Sequence, residues 1–196
     1  MGNARLGKTF SNIYYVVLFV SRNKDNKGIV KDFKERRELY MVCEEDLRRV
    51  VDTFNDFVKK GKCGELCRCY VSVNKRDGAK VYKRVLHWLL DHPDYPMPAL
   101  SHKIAAMSLE KNCSAENKWL VDFDSTDEKV LKEFLEDLTK YIKKEDIYAV
   151  HKTVHGYAIV LRHGFDTREI LEKYGDFVAF KRDDMLLVNW RQKTWC

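Results

Sequence analysis

The sequence predicts an α+β domain, built on a mostly antiparallel sheet with flanking helices. Three observations carry this expectation. Short stretches rich in Val, Ile, Tyr and Phe alternate with longer ones whose apolar residues recur every three or four positions. Residues 147–150 with 157–162, and 178–180 with 185–190, read as strands joined by turns. Residues 118–162 read as strand-helix-strand-strand, half of a split β-α-β unit.

In chain order, 11–21 is an apolar strand, 22–34 a polar loop with Gly28, and 38–42 a short strand. Across 44–60, Leu47, Val50, Val51, Phe54, Phe57 and Val58 share one helical face, and Gly61 follows as a stop. Residues 66–73 alternate as a strand, and 79–90 set Val81, Val85, Trp88 and Leu89 on one side of a helix. Segment 92–98 holds all three prolines and breaks the chain before a helix at 99–110. A strand at 119–123 precedes a helix at 127–141, built on Val130, Phe134, Leu135 and Leu138. The turn 151–156 joins the next two strands, 167–174 is a short helix, and a turn at 182–184 separates the last two strands. Trp88, Trp119 and Trp190 are expected to pack in the core, and Trp195 is free to stack on a base.

No repeat, low-complexity tract or linker divides the chain. Residues 1–196 are read as a single domain, with 1–65 an N-terminal lobe portion and 66–196 the core that carries the site. An aromatic content of 12% is too high for a disordered chain. Lys and Arg exceed Asp and Glu by 36 to 30, which fits a partner carrying phosphates. No apolar run approaches ~18 residues, and no small-residue cleavage site follows residues 13–20, so neither a membrane partner nor a secretory leader is expected. The expected location is the cytoplasm, with its cysteines as free thiols. Cys63, Cys67 and Cys69 form C-x3-C-x-C, which is not a usual zinc spacing.

One match is rejected. Gly2 to Thr9 fits the phosphate-loop pattern G-x4-G-K-T, but that mechanism needs a buried strand before the loop and a helix after it. Only Met1 precedes Gly2, and a strand follows. The same start fails as a myristoylation signal, since Leu6 stands where Ser or Thr is required.

The candidate centre is Asp122 with Asp124, in Trp119-Leu-Val-Asp-Phe-Asp124. Two residues apart on a strand, the carboxylates share one face, and Val121 and Phe123 take the other. Like charges that close call for a cation between them, and Mg2+ or Mn2+ suits carboxylate oxygens. Read alone, the pair is also a common solvated strand end followed by the helix cap Ser125-Thr126-Asp127. Three further segments accompany it. Arg68, Tyr70, Ser72 and Asn74 alternate along one polar face. His151-Lys152-Thr153-Val-His155-Gly156 is a turn leading into Tyr157-Ala158-Ile-Val-Leu-Arg162. Asp183-Asp184 precedes an apolar strand.

In this order the segments resemble the catalytic core of the archaeo-eukaryotic primase superfamily, the primase-polymerases, and their phage- and plasmid-borne relatives in particular. Tyr70-Val-Ser72-Val-Asn74 is similar to the family's Tyr/Phe-x-Ser-x-Asn stretch, Asp122-Phe-Asp124 to its D-x-D strand, and Thr153 to Val160 to its Ser/Thr-, Gly- and His-containing turn and strand. The resemblance spans residues 66–190. It implies an RRM-like core and a metal-dependent nucleotidyltransferase acting on DNA or RNA with nucleoside triphosphates. Asp122 and Asp124 would bind Mg2+ or Mn2+, with Asp183 or Asp184 completing the catalytic set and Asp184 the one assigned. Thr153, His155, Gly156, Arg162, Lys152 and Arg76 would approach the nucleotide, and Arg68, Tyr70 and Asn74 the nucleic acid. One departure is Ala158, which stands where the family has a triphosphate-binding histidine; a methyl group cannot donate to a phosphate oxygen. Two alternatives therefore stand beside the enzyme. One is a degenerate relative serving a phage or mobile element by binding nucleic acid or a replication or host protein. The other is a metal-dependent nuclease.

Overall fold

The computed structural model describes residues 13–194. The phosphate-loop match, the myristoylation-like start, the first two residues of the strand expected at 11–21, and Trp195 and Cys196 lie outside the described residues. Among the described residues nine strands form two antiparallel sheets. The first has β1 (Ile13–Ser21) and β3 (Leu66–Ser72) at its centre, between β2 (Arg36–Cys43) and β9 (Met185–Gln192), and the two-residue β4 (Arg76–Asp77) pairs with the start of β1. The second runs β6 (Ile147–Lys152), β7 (Tyr157–Leu161), β5 (Trp119–Phe123), β8 (Val178–Lys181). The α+β, mostly antiparallel expectation holds, but the strands divide between two sheets. Residues on both sides of position 65 contribute to the first.

Helices flank both sheets: α1 (Asn23–Asn26), α2 (Val50–Lys59), α3 (Gly78–Asp91), α4 (Leu100–Ser108), α5 (Glu128–Leu138) and α6 (Arg168–Tyr174). Strand alternation decides what each face meets. Val17, Phe19, Cys67 and Cys69 pack on Val50, Phe54, Phe57 and Val58 of α2. Val121, Phe123, Ile159 and Leu161 pack on Leu131, Phe134 and Leu138 of α5 and on Ile170 and Tyr174 of α6. The period of two therefore sends Leu18, Val20, Arg68 and Tyr70 of the first sheet to the side opposite α2, and Leu120, Asp122, Ala158 and Val160 of the second to the side opposite α5. The sheets meet where Leu120, Ala158 and Val160 pack with Val73 and Leu186.

A polar seam reinforces this junction. Asn74, fully buried, donates from Nδ2 to the Lys118 carbonyl at 2.9 Å and accepts the Lys118 N–H on Oδ1 at 2.7 Å. Its amide thus pairs with the residue just before β5 as a neighbouring strand would. Arg76, also fully buried, donates to both oxygens of Asp183 at 2.7 and 2.8 Å, and Asn74 Nδ2 reaches Asp183 Oδ1 at 3.1 Å.

Three details differ from the sequence expectation. The 22–34 segment is not merely a solvated loop. Asn26 is buried and binds the Leu66 backbone through both amide atoms, which pins α1 to β3. Trp190 is 37% exposed, because β9 is the edge strand of its sheet. Cys43, Cys67, Cys69 and Cys113 are free thiols, whereas Cys63, exposed in the loop after α2, is disulfide-bonded. Burial pushes the Cys67 thiol up to about 11 and Cys69 to about 12, so both are inert packing residues beneath α2.

The buried ion pairs predict acid sensitivity. Burial alone would raise the Asp25 carboxyl, but hydrogen bonds from Arg22 and Arg68 outweigh it and hold it below the usual range. Glu65 is lowered in the same way, with burial opposed by the Lys62 N–H and Arg36. A carboxyl whose value is depressed on folding contributes stability above its unfolded value and loses it as pH falls through the folded one. The urea midpoint should therefore hold from neutral pH down to about 5 and drop below about 4. Asp25→Asn should be less stable than wild type at pH 7, and the gap should close as the pH is lowered. A gap that does not change with pH would contradict this.

Candidate functional site

The two sheet faces enclose a cleft of about 460 Å³, a size that accepts a nucleotide-scale ligand. One wall is Leu120, Asp122 and Ala158 of the second sheet, extended by Asp124 and by Thr153 to His155 of the turn between β6 and β7. The other is Leu18, Val20, Arg68, Tyr70 and Leu187 of the first sheet, rimmed by Arg22, Lys24 and Arg37. Lys181, Asp184 and Met185 line the side where β8 passes into β9.

Asp122 sits at the middle of β5, paired with Ala158 on β7 and Ala179 on β8. Both cross-strand neighbours are alanines, too small to cover its carboxylate. Asp124 lies just past the strand, where its N–H donates to the Phe177 carbonyl at 2.8 Å. Asp184 is oriented by its own strand: Oδ1 accepts the Met185 N–H at 2.7 Å. Its Oδ2 and Asp122 Oδ2 each stand 3.1 Å from Lys181 Nζ. Burial works against the charge on Lys181, but the two carboxylates outweigh it and hold the ammonium above the usual lysine range. Asp122 and Asp184, 62 positions apart in sequence, thus already converge on one cation.

The turn after β6 is closed on itself. Thr153 N–H donates to the Gly156 carbonyl at 2.8 Å, and Gly156 N–H donates to Thr153 Oγ1 at 3.1 Å. Gly156 is required there by close approach, since a Cβ would fall 2.0 Å from the Phe123 carbonyl oxygen. That contact is with backbone, which cannot swing aside. Gly156→Ala should displace the turn from the end of β5 and destabilise the protein by about 1–3 kcal/mol. Thermal unfolding measures this, and an unchanged midpoint would show that the turn yields freely.

The cleft gathers Asp122, Asp124, Asp184, Thr153, His155, Arg68 and Tyr70 from the residues singled out in the sequence. Arg68 is committed to Asp25, through bonds of 2.8 and 2.7 Å. Gly156 is buried beneath the turn. Asn74 and Arg76 belong to the seam. Lys152 is exposed at the end of β6, outside the lining. Arg162 donates to the Glu145 carbonyl at 3.1 Å and stacks over Tyr148, away from the cleft. Lys181 and Arg37 are lining cations that the sequence does not single out, and Arg22 and Lys24 come from the basic 22–34 segment, which reads from sequence as a solvated loop able to contact phosphates only if it lies near the sheet face. The available signal was weak: Lys181 closes an apolar strand three residues before Asp184, and Arg22 and Lys24 lie in a lysine-rich segment after β1.

Among the described residues, no group of three or more His, Cys, Asp or Glu side chains is arranged to hold a metal ion, and no helix is long and apolar enough to cross a membrane. No family model, curated protein or solved structure matches the chain.

Proposed function

We propose that this protein is a primase-polymerase-like, metal-dependent nucleotidyltransferase that acts on nucleic acid and nucleoside triphosphates. The observation that carries the reading is the polarity of the cleft. Asp122, Asp124 and Asp184 line one side, and Lys24, Arg37 and the Asp25-paired Arg22 and Arg68 face them. A polyphosphate carrying a divalent ion matches both walls at once. The strand-helix-strand-strand order of β5, α5, β6 and β7 adds support for a primase-polymerase-like core.

The donor set fits Mg2+ or Mn2+ in kind: all its members are carboxylate oxygens. Asp122 and Asp184, whose oxygens already converge on Lys181, would hold the ion, with Asp124 beside them in the lining and the rest of its shell left to water and phosphate, as Mg2+ prefers. Once bound, such an ion would neutralise triphosphate charge and make the attacking hydroxyl easier to deprotonate. The chain's own residues supply attraction and orientation. Lys24 and Arg37 draw the polyphosphate inward. Leu18, Val20, Tyr70 and Leu187 give a base or sugar an apolar surface beside the reacting groups. Thr153 Oγ1, already accepting from Gly156 N–H, keeps its own hydrogen to donate to phosphate. A nucleic-acid hydroxyl, losing its proton to water, would then attack the α-phosphorus, and pyrophosphate would leave with the electron pair of the broken P–O bond. Catalysis is chiefly positioning and charge neutralisation.

Primer synthesis or extension with Mn2+, comparing wild type with Asp122→Asn, tests this reading. Product from the wild type and none from the variant is the expected result; an inert wild type overturns it. Shortening of the oligonucleotide instead of extension would assign the cleft to a nuclease. Ala158 favours a second reading. It is 4% exposed and sits in the cleft wall opposite Asp122, where it offers no donor. A catalytically degenerate relative would bind DNA or RNA without turnover, and that binding would weaken steeply with salt.

A further inference from the structure

We infer that Lys181 is an internal counter-cation: it holds the place of a divalent ion in the metal-free protein and turns to the triphosphate when the ion enters. The inference rests on the metal-site reading above and names a regulation within that site. Lys181 ends β8 opposite Leu120, and its ammonium lies between Asp122 and Asp184, 3.1 Å from one oxygen of each. The backbone on both sides is fixed. Before it, β8 is paired along β5; after it, Asp183 is clamped by Arg76 and Asn74. Asp184 cannot turn away, because Met185 N–H holds its other oxygen. What remains free to move is the lysine side chain, 40% exposed to the cleft.

Two carboxylates that converge need a cation, and in the absence of metal Lys181 supplies it. A divalent ion would seek the same two oxygens at about 2.0–2.2 Å, and it cannot share them with an ammonium without repulsion. The four-carbon stem lets the ammonium leave the carboxylates and still reach phosphate oxygens in the same cleft. Metal and nucleotide then favour each other's binding. The ion frees Lys181 for the phosphates, and the phosphates give the displaced lysine a new partner, which is a reciprocal coupling. Without nucleotide the ion binds weakly.

The test measures Mn2+ binding by electron paramagnetic resonance, first alone and then with adenosine 5′-(α,β-methylene)triphosphate. Wild type, Lys181→Met, Lys181→Gln, Lys181→Arg and Asp122→Asn are compared, with circular dichroism confirming each fold. Removing the ammonium in Lys181→Met or Lys181→Gln should tighten Mn2+ binding without nucleotide roughly five- to tenfold. It should also reduce the mutual enhancement between Mn2+ and the triphosphate by a similar factor. Lys181→Arg, which keeps the charge, should bind Mn2+ no more tightly than wild type. If both neutral variants bind Mn2+ no better than wild type while Asp122→Asn abolishes binding, the counter-cation role is wrong and the metal site stands. If Asp122→Asn binds Mn2+ as wild type does, or no form binds it, the metal reading beneath this inference is wrong as well.

Discussion

Asp122→Asn is expected to lower nucleotidyl transfer by roughly a thousandfold or more and to leave the fold intact. The substitution keeps the size and shape of the side chain and removes its charge. Metal-borne charge stabilisation is worth several kcal/mol, and each ~1.4 kcal/mol is a factor of ten in rate. Little structural cost follows. Asp122 is 38% exposed, and its side-chain partner among the described residues, Lys181, keeps Asp184. An amide on a half-exposed strand position typically changes stability by less than about 0.5 kcal/mol. Single-turnover primer extension with Mn2+, run beside thermal unfolding, separates the two effects. A variant as active as wild type would sink the assignment of Asp122, and a large fall in midpoint would show that the carboxylate is structural.

The largest stability effect is expected at the seam. Asp183→Ala strands the Arg76 guanidinium in a fully buried site, where Nε already lacks a hydrogen-bond partner. Breaking a buried ion pair by removing one partner costs about 3–5 kcal/mol. For a domain of this size, that is a fall of roughly 10 °C in midpoint. Replacing both partners by apolar residues, Arg76→Met with Asp183→Leu, should recover much of the loss, because no uncompensated charge remains. Failure of the double variant to recover would place the cost elsewhere in the seam, at Asn74 and its bonds to Lys118. A small effect from Asp183→Ala alone would show that water reaches Arg76.

The contrast between these two aspartates shows which parts of the site could be read from sequence. β5 spans Trp119–Phe123 as expected, because an apolar run between polar segments bounds it clearly. Alternation within that run was enough to separate Asp122 from the core side chains around it. The same rule fails at Asn74. Alternation continues the polar face of 68–72 to it, but β3 ends at Ser72 and the chain turns inward between the sheets. Arg76, which the resemblance places near the nucleotide, follows the same path into the seam. Arg162 continues the face of Ala158 and Val160, but four residues along a strand is about 13 Å, which puts it at the far end of the sheet. Lys181 and Arg37 could not be placed from sequence, and Arg22 and Lys24 only on the condition that their segment lies near the sheet face. Their position depends on which strands pair and how one sheet lies over the other, and no local pattern encodes that. The primase-polymerase resemblance singles out the acids by motif, but motifs do not say which basic residues stand opposite them.

The return of β9 to the edge of β3 has a consequence for biosynthesis. The two strands are paired, yet more than a hundred residues separate Ser72 from Met185. At translation rates of about 5–20 residues per second, β3 waits several seconds with one edge unpaired. Throughout that wait the nascent chain presents an open edge, the kind of surface on which other strands add. Asp184 emerges immediately before β9. Asp122 and Asp184 therefore meet only after this late segment has emerged, and a polypeptide stalled before it lacks both Asp184 and the part of the cleft wall that Leu187 supplies.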